Sequence, residues 1–159
     1  MQKSLLVVTA LGALALGGCA STPKETAPVP APVDTTPTVA SLCSSAEKVL
    51  FNCLVGSENK TLSICASSDL SASTGYLQYR YGVSQGALDL SLPANLTNTQ
   101  AAFKLVGGAL SFSNGTTNSY QVNDTGVQTF WSKAPERNRT LSCTSAVTNN
   151  LSSLSGIVQ

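Results

Sequence analysis

The chain has 159 residues, with nine Lys plus Arg against eight Asp plus Glu and no histidine. That length allows one compact domain with a core of its own, and the balanced charge offers nucleic acid no basic surface. Without histidine the chain lacks the commonest general acid/base and the commonest metal ligand, so no cofactor or metal is expected.

Residues 1–19 read MQKSLLVVTALGALALGGC: Lys3, an apolar run over 5–16, then small residues before Cys19. This is a secretory signal layout, and about twelve apolar residues are too few for a bilayer core that needs roughly 20. Leu16-Gly17-Gly18-Cys19 resembles the lipobox of bacterial lipoproteins. The resemblance implies removal of residues 1–18, lipidation of the Cys19 thiol and, with Ala20 rather than aspartate next, an outer-membrane location. Removing Lys3 leaves eight cationic against eight acidic side chains.

Residues 19–41 form the expected spacer. Five of the seven prolines (Pro23, Pro28, Pro30, Pro32, Pro37) fall here among Ala, Thr and Val. Proline at this density blocks helix and ladder hydrogen bonds and favours an extended chain, which at about 3.1 Å per residue reaches roughly 70 Å from a membrane.

From residue 42 the texture changes to short apolar segments separated by Gly, Asn and Ser. Residues 44–48 read as a helical turn with a cap-like Ser45. Strands follow over 49–55 and 61–66, with a polar turn between them, then 76–81 and 87–92. Five more are expected over 102–106, 110–113, 119–123, 127–132 and 140–143. Gly107-Gly108, Asn114-Gly115 and residues 124–126 break the later ones, and Asn114-Gly115 is the strongest hairpin signal. The expected fold is all-β: a single antiparallel barrel or sandwich of about eight strands. The tail from residue 144 either aligns Val147, Leu151 and Leu154 on one helical face or frays.

Residues 60–93 hold the densest aromatic run. In YLQYRY (76–81), Tyr76, Gln78 and Arg80 fall on one side of an extended chain, and Leu77, Tyr79 and Tyr81 on the other. With Cys19 assigned to lipid, Cys43, Cys53, Cys65 and Cys143 remain for two disulfides in an oxidising compartment, and three pairings exist. An odd-length hairpin loop centred on Asn59 sets Cys53 opposite Cys65 and leaves Cys43 with Cys143; the pairing Cys43 with Cys53 and Cys65 with Cys143 stays open.

The segments LFNC, LSICAS, GYLQYRYG, LDLSLP, LSFSNG and SYQV resemble small exported bacterial proteins with paired cysteines whose activity is uncharacterised. Residues 67–76 (SSDLSASTGY) resemble more distantly the serine-rich loop before a tyrosine in membrane-bound inhibitors of C-type lysozyme. That likeness would give Ser71, Ser73 and Tyr76 an inhibitory role. Tyr76, Tyr79, Arg80 and Tyr81 are candidate contact residues, because tyrosine and arginine most often anchor interfaces; half-buried packing with a satisfied guanidinium is the plainer expectation. Lys133, Arg137 and Arg139 beside Phe130 and Trp131 form a second, basic candidate, diluted by Glu136. Carboxylate hydrolysis would need two of Glu47, Glu58, Asp69, Asp89, Asp124 and Glu136 to converge, and no SxxK motif supplies a serine nucleophile with a lysine base.

The expected function is a lipid-anchored envelope lipoprotein presenting a non-enzymatic binding module to a protein or cell-envelope partner. The alternatives are a lysozyme or hydrolase inhibitor, a structural envelope component and, last, a carboxylate-based hydrolase.

Overall fold

Alternating apolar and polar residues, cut by Gly- and Asn-bearing turns, fold residues 39–159 into strands; these are the residues that the computed structural model describes. The signal segment, Cys19 and the spacer up to residue 38 lie outside the described residues. Among those described there are ten strands, three short 3-10 turns and no α-helix.

The first sheet contains β1 (Glu47–Val55), β2 (Lys60–Ser67), β3 (Leu77–Gly82), β4 (Leu88–Leu92) and the short β10 (Thr148–Asn149), in the order β10-β1-β2-β3-β4. The second contains β5 (Phe103–Val106), β6 (Ala109–Asn114), β7 (Asn118–Asn123), β8 (Gly126–Trp131) and β9 (Arg139–Ser142), in chain order. Every pairing is antiparallel. The two sheets stay separate rather than closing into a barrel, so the architecture is a sandwich.

The core is built from the facing sides of the two sheets. Phe51, Cys53, Leu62, Ile64, Leu77 and Tyr79 from the first sheet meet Phe103, Leu110, Phe112, Tyr120, Val122 and Val127 from the second. The Tyr79 ring lies 5.3 Å from Phe112 and 5.6 Å from Tyr120 between centroids, and Phe112 stacks on Tyr120 at 5.1 Å. Such pairs contribute about 0.5–1.5 kcal/mol each beyond the area they bury.

The nine expected strands are present within a residue or two of their expected ends. Gly107 and Gly108, at φ 58° and 82°, form the two-residue connection between β5 and β6, where a tight hairpin requires positive φ at both positions. Asn114-Gly115 does open a hairpin, but Asn114 pairs with Asn118, so the loop has three residues. Residues 44–47 form a single hydrogen-bonded turn, the Glu47 N–H donating to the Ser44 carbonyl at 3.1 Å, but no helix follows, because Glu47 already begins β1. The tail does not fray. It adds β10 to the β1 edge and then buries Leu151 and Leu154 in a 3-10 turn, while Val147 is 37 % exposed and shares no face with them.

The disulfides are Cys43–Cys65 and Cys53–Cys143, which corrects the expected pairing of Cys53 with Cys65 and Cys43 with Cys143. The loop between β1 and β2 has four residues, with Val55 opposite Lys60, so Cys53 lies opposite Leu62. Cys53 therefore faces the core with Leu62 and Ile64. Cys65 sits one residue further along β2 and points outward with Ser63, because strand side chains alternate. A bulge at Leu50 shifts the register again, bringing Val49 opposite Cys65. Cys143 reaches Cys53 because the chain leaving β9 crosses to the first sheet, where Val55 bridges Cys143 and the Thr144 N–H donates to the Leu54 carbonyl at 2.8 Å.

Candidate functional site

Alternation gives each sheet a polar outward face. On the first sheet, Asn52, Ser63, Arg80 and Ser91 lie in one cross-strand row, with Cys65 and Gln78 in the next. Asn52, Ser63, Cys65 and Gln78 are nevertheless buried. The chain entering the domain over residues 39–43 forms a strap across them, and its bonds are specific. Asn52 Nδ2 donates to the Val39 carbonyl at 2.7 Å, the Leu42 N–H to Ser63 Oγ at 3.0 Å, and Arg80 Nη1 to the Leu42 carbonyl at 2.8 Å. Cys43–Cys65 fastens the strap covalently. Val39–Ser41, counted in the spacer by sequence, thus run into the fold.

Beneath the strap's end lies an ion pair. Arg80 Nη1 and Nη2 hold Glu47 Oε2 and Oε1 at 2.8 and 2.7 Å, with side-chain exposures of 13 % and 3 %. Tyr76 Oη donates to Glu47 Oε1 at 2.7 Å, and the Ser44 N–H to Oε2 at 2.6 Å. Burial pushes the Glu47 carboxyl up, but donation from Arg80, Tyr76 and Ser44 outweighs it and holds the group at about 2. The same bond to Glu47 is the main influence raising the Tyr76 phenol. Arg80 Nε donates to Gln78 Oε1 at 2.7 Å, and Gln78 Nε2 to the Pro93 carbonyl at 3.0 Å. The bond from Arg80 Nη1 to the Leu42 carbonyl ties this network to the strap.

The candidate contact residues therefore separate. Tyr79, at 2 % exposure, is a core ring and cannot meet a partner; burial raises its phenol. Tyr76 and Arg80 belong to the strap network. Tyr81 is half-buried at the sandwich edge under the Lys60 ammonium, 5.5 Å from its centroid. Ser71 Oγ accepts from the Thr74 N–H at 3.0 Å and lies 2.8 Å from Thr74 Oγ1, so it organises its own loop, while Ser73 is exposed. Gly75 is obligatory in that loop: its φ is 82°, and a Cβ there would collide with Ser67 Oγ and the Leu70 backbone. Of the six carboxylates, Glu58 and Asp89 come together, at 3.0 and 2.9 Å from Lys60 Nζ. The ammonium stands between them, and together they raise the Lys60 pKa.

The second sheet differs. Lys104, Ser111, Gln121, Gln128 and Thr140 form one outward row, and Ser113, Ser119 and Phe130 another. All are partly or fully exposed, and Phe130 is 40 % exposed. Two shallow depressions of about 230 and 350 Å³ meet at Ser113, Ser119 and Phe130 and make one trough. At its far end Trp131 carries the Arg137 guanidinium 4.2 Å from its ring centroid. Sequence reasoning noted Phe130 and Trp131 beside the basic loop but did not join them to the serines. The available signal was the alternation in LSFS, SYQV and VQTF, which puts serine and glutamine on one side of three adjacent strands.

No protein-family model matches the chain, and no curated protein and no solved structure matches it.

Proposed function

We propose that this protein is a lipid-anchored envelope lipoprotein that holds a non-enzymatic binding module away from a membrane on a proline-rich spacer, with the outward face of the second sheet as its working surface. The observation that carries this reading is the strap. The chain arriving from the spacer is bonded and disulfide-linked across the outward face of the first sheet, which leaves the corresponding face of the second sheet turned to solvent. Two disulfides in a domain of this size support an oxidising, extracytoplasmic location. The lipobox-like Leu16-Gly17-Gly18-Cys19 supports the anchor, and the prolines of residues 20–41 support a stalk long enough to search for a soluble or wall-bound partner.

The test has two arms. Palmitate labelling should be present in the natural chain and lost in Cys19→Ala; labelling that persists would overturn the anchor. The purified chain should retain an envelope component without turning over cell-wall or lipid substrates, and turnover would overturn the non-enzymatic assignment. Inhibition of a lysozyme in the same assays would select the inhibitor alternative, and failure to retain any component would favour a structural role.

A further inference from the structure

The second sheet's trough is built from uncharged hydroxyl and amide groups around one exposed ring. Ser111, Ser113, Ser119 and Gln121 line it with Phe130, and Lys104 is the single charged group among its lining residues. Strands lie about 4.8 Å apart, so the face from β5 to β8 extends roughly 14 Å, longer than one sugar ring. We infer that this trough binds an uncharged, β-linked glycan chain, one ring lying on Phe130 and its hydroxyls bonding to the flanking serines and Gln121. The inference rests on the reading of the domain as a binding module and gives that module its ligand class.

The lining chemistry selects this occupant over others. Protein interfaces are depleted in serine and are centred on clustered apolar or aromatic anchors, whereas here the exposed Phe130 and the half-buried Trp131 at the trough's end stand among hydroxyls. A nucleic acid or acidic polymer needs several cations to hold its charges, and the trough offers Lys104, with Arg137 at its far end already stacked on Trp131. Small apolar ligands require a concave site that encloses most of their surface, and this trough lies open on a sheet face. A pyranose has a flat C–H side suited to an aromatic ring and an edge of hydroxyls that both donate and accept. Serine hydroxyls and the glutamine amide answer it in both senses. A pleated sheet face holds these groups in fixed rows, so little side-chain freedom is lost on binding.

Trp131, the one tryptophan of the chain, lines the end of the same trough and is a built-in reporter. The full chain in detergent micelles would be titrated with a β-1,4-linked N-acetylglucosamine hexamer and, separately, with cellohexaose, following Trp131 emission. The expected result is a saturable change with at least one of them, weakened about tenfold in Phe130→Ala. Gln121→Ala should weaken it by a smaller factor, and Val83→Ser, on the exposed connection beside β4, should leave it unchanged. A saturable response to neither glycan, or equal affinity in Phe130→Ala, would overturn the inference. A protein captured from envelope extract by the natural chain and lost in Phe130→Ala, without a glycan response, would overturn the glycan while preserving the binding-module reading.

Discussion

The outward face of the first sheet presents Glu47, Asn52, Ser63, Gln78 and Arg80, and that of the second presents Lys104, Ser111, Ser113, Ser119, Gln121 and Gln128, yet only the first is closed over. Both arise from the same alternation of apolar and polar residues. Polarity on a strand therefore does not decide whether a face meets water. What decides it is whether another segment brings matching donors and acceptors, since a buried polar group without a partner costs about 1–3 kcal/mol. The strap brings them: the Val39 and Leu42 carbonyls and the Leu42 N–H, held in place by the Cys43–Cys65 disulfide.

The most damaging way to break this contrast is to remove the cation under the strap. Arg80→Met leaves Glu47 buried without its bidentate partner and should cost about 3–5 kcal/mol, read as a lowered midpoint of urea unfolding. Unlinking the strap comes next. The double substitution Cys43→Ala/Cys65→Ala opens a loop of 22 residues and should cost about 3 kcal/mol on the chain-entropy account. It should also speed hydrogen exchange across β2 and β3 while leaving β6 and β7 protected.

Acid should reach the first sheet before the second. Glu47 is held at about 2 in the folded protein against an ordinary value of 4.5. Its contribution to stability is thus complete above about pH 4.5 and is lost as pH falls toward 2, because the unfolded chain takes up the proton first. Urea midpoints measured across that interval should fall with pH, and the fall should be shallower in Arg80→Met, where Glu47 no longer has its main donor. On the second sheet, Ser111→Ala and Gln121→Ala should change stability by no more than about 0.5 kcal/mol, as is usual for exposed positions without partners. A larger loss there would show that the trough is structural.

Much of this sandwich was legible as separate strands. YLQYRY placed Tyr79 and Arg80 on opposite sides, and the structure sends one to the core and the other under the strap. Register was not legible, because it turned on two local details: a four-residue loop over 56–59 and the bulge at Leu50. The four-residue loop put Cys53 and Cys65 on opposite faces and so exchanged the disulfide partners. The strap was hidden for a different reason. Val39–Ser41 carry no apolar periodicity, and the strap's bonds across the sheet are made by the Val39 and Leu42 carbonyls and the Leu42 N–H, groups that every residue but proline possesses. Phe130 could be seen as an aromatic residue near a basic loop. Its place among the serines followed only from the pairing of β6, β7 and β8.

Disulfide mapping of the unreduced full chain tests the closed-versus-open contrast most directly. Cleavage after Lys24, Lys48, Lys60, Arg80 and Arg139 leaves Cys43, Cys53, Cys65 and Cys143 in four different peptides, spanning 25–48, 49–60, 61–80 and 140–159. The strap predicts 25–48 linked to 61–80, and 49–60 linked to 140–159. A link between 49–60 and 61–80 would contradict it, since it would require Cys53 and Cys65 to share one face of the first sheet.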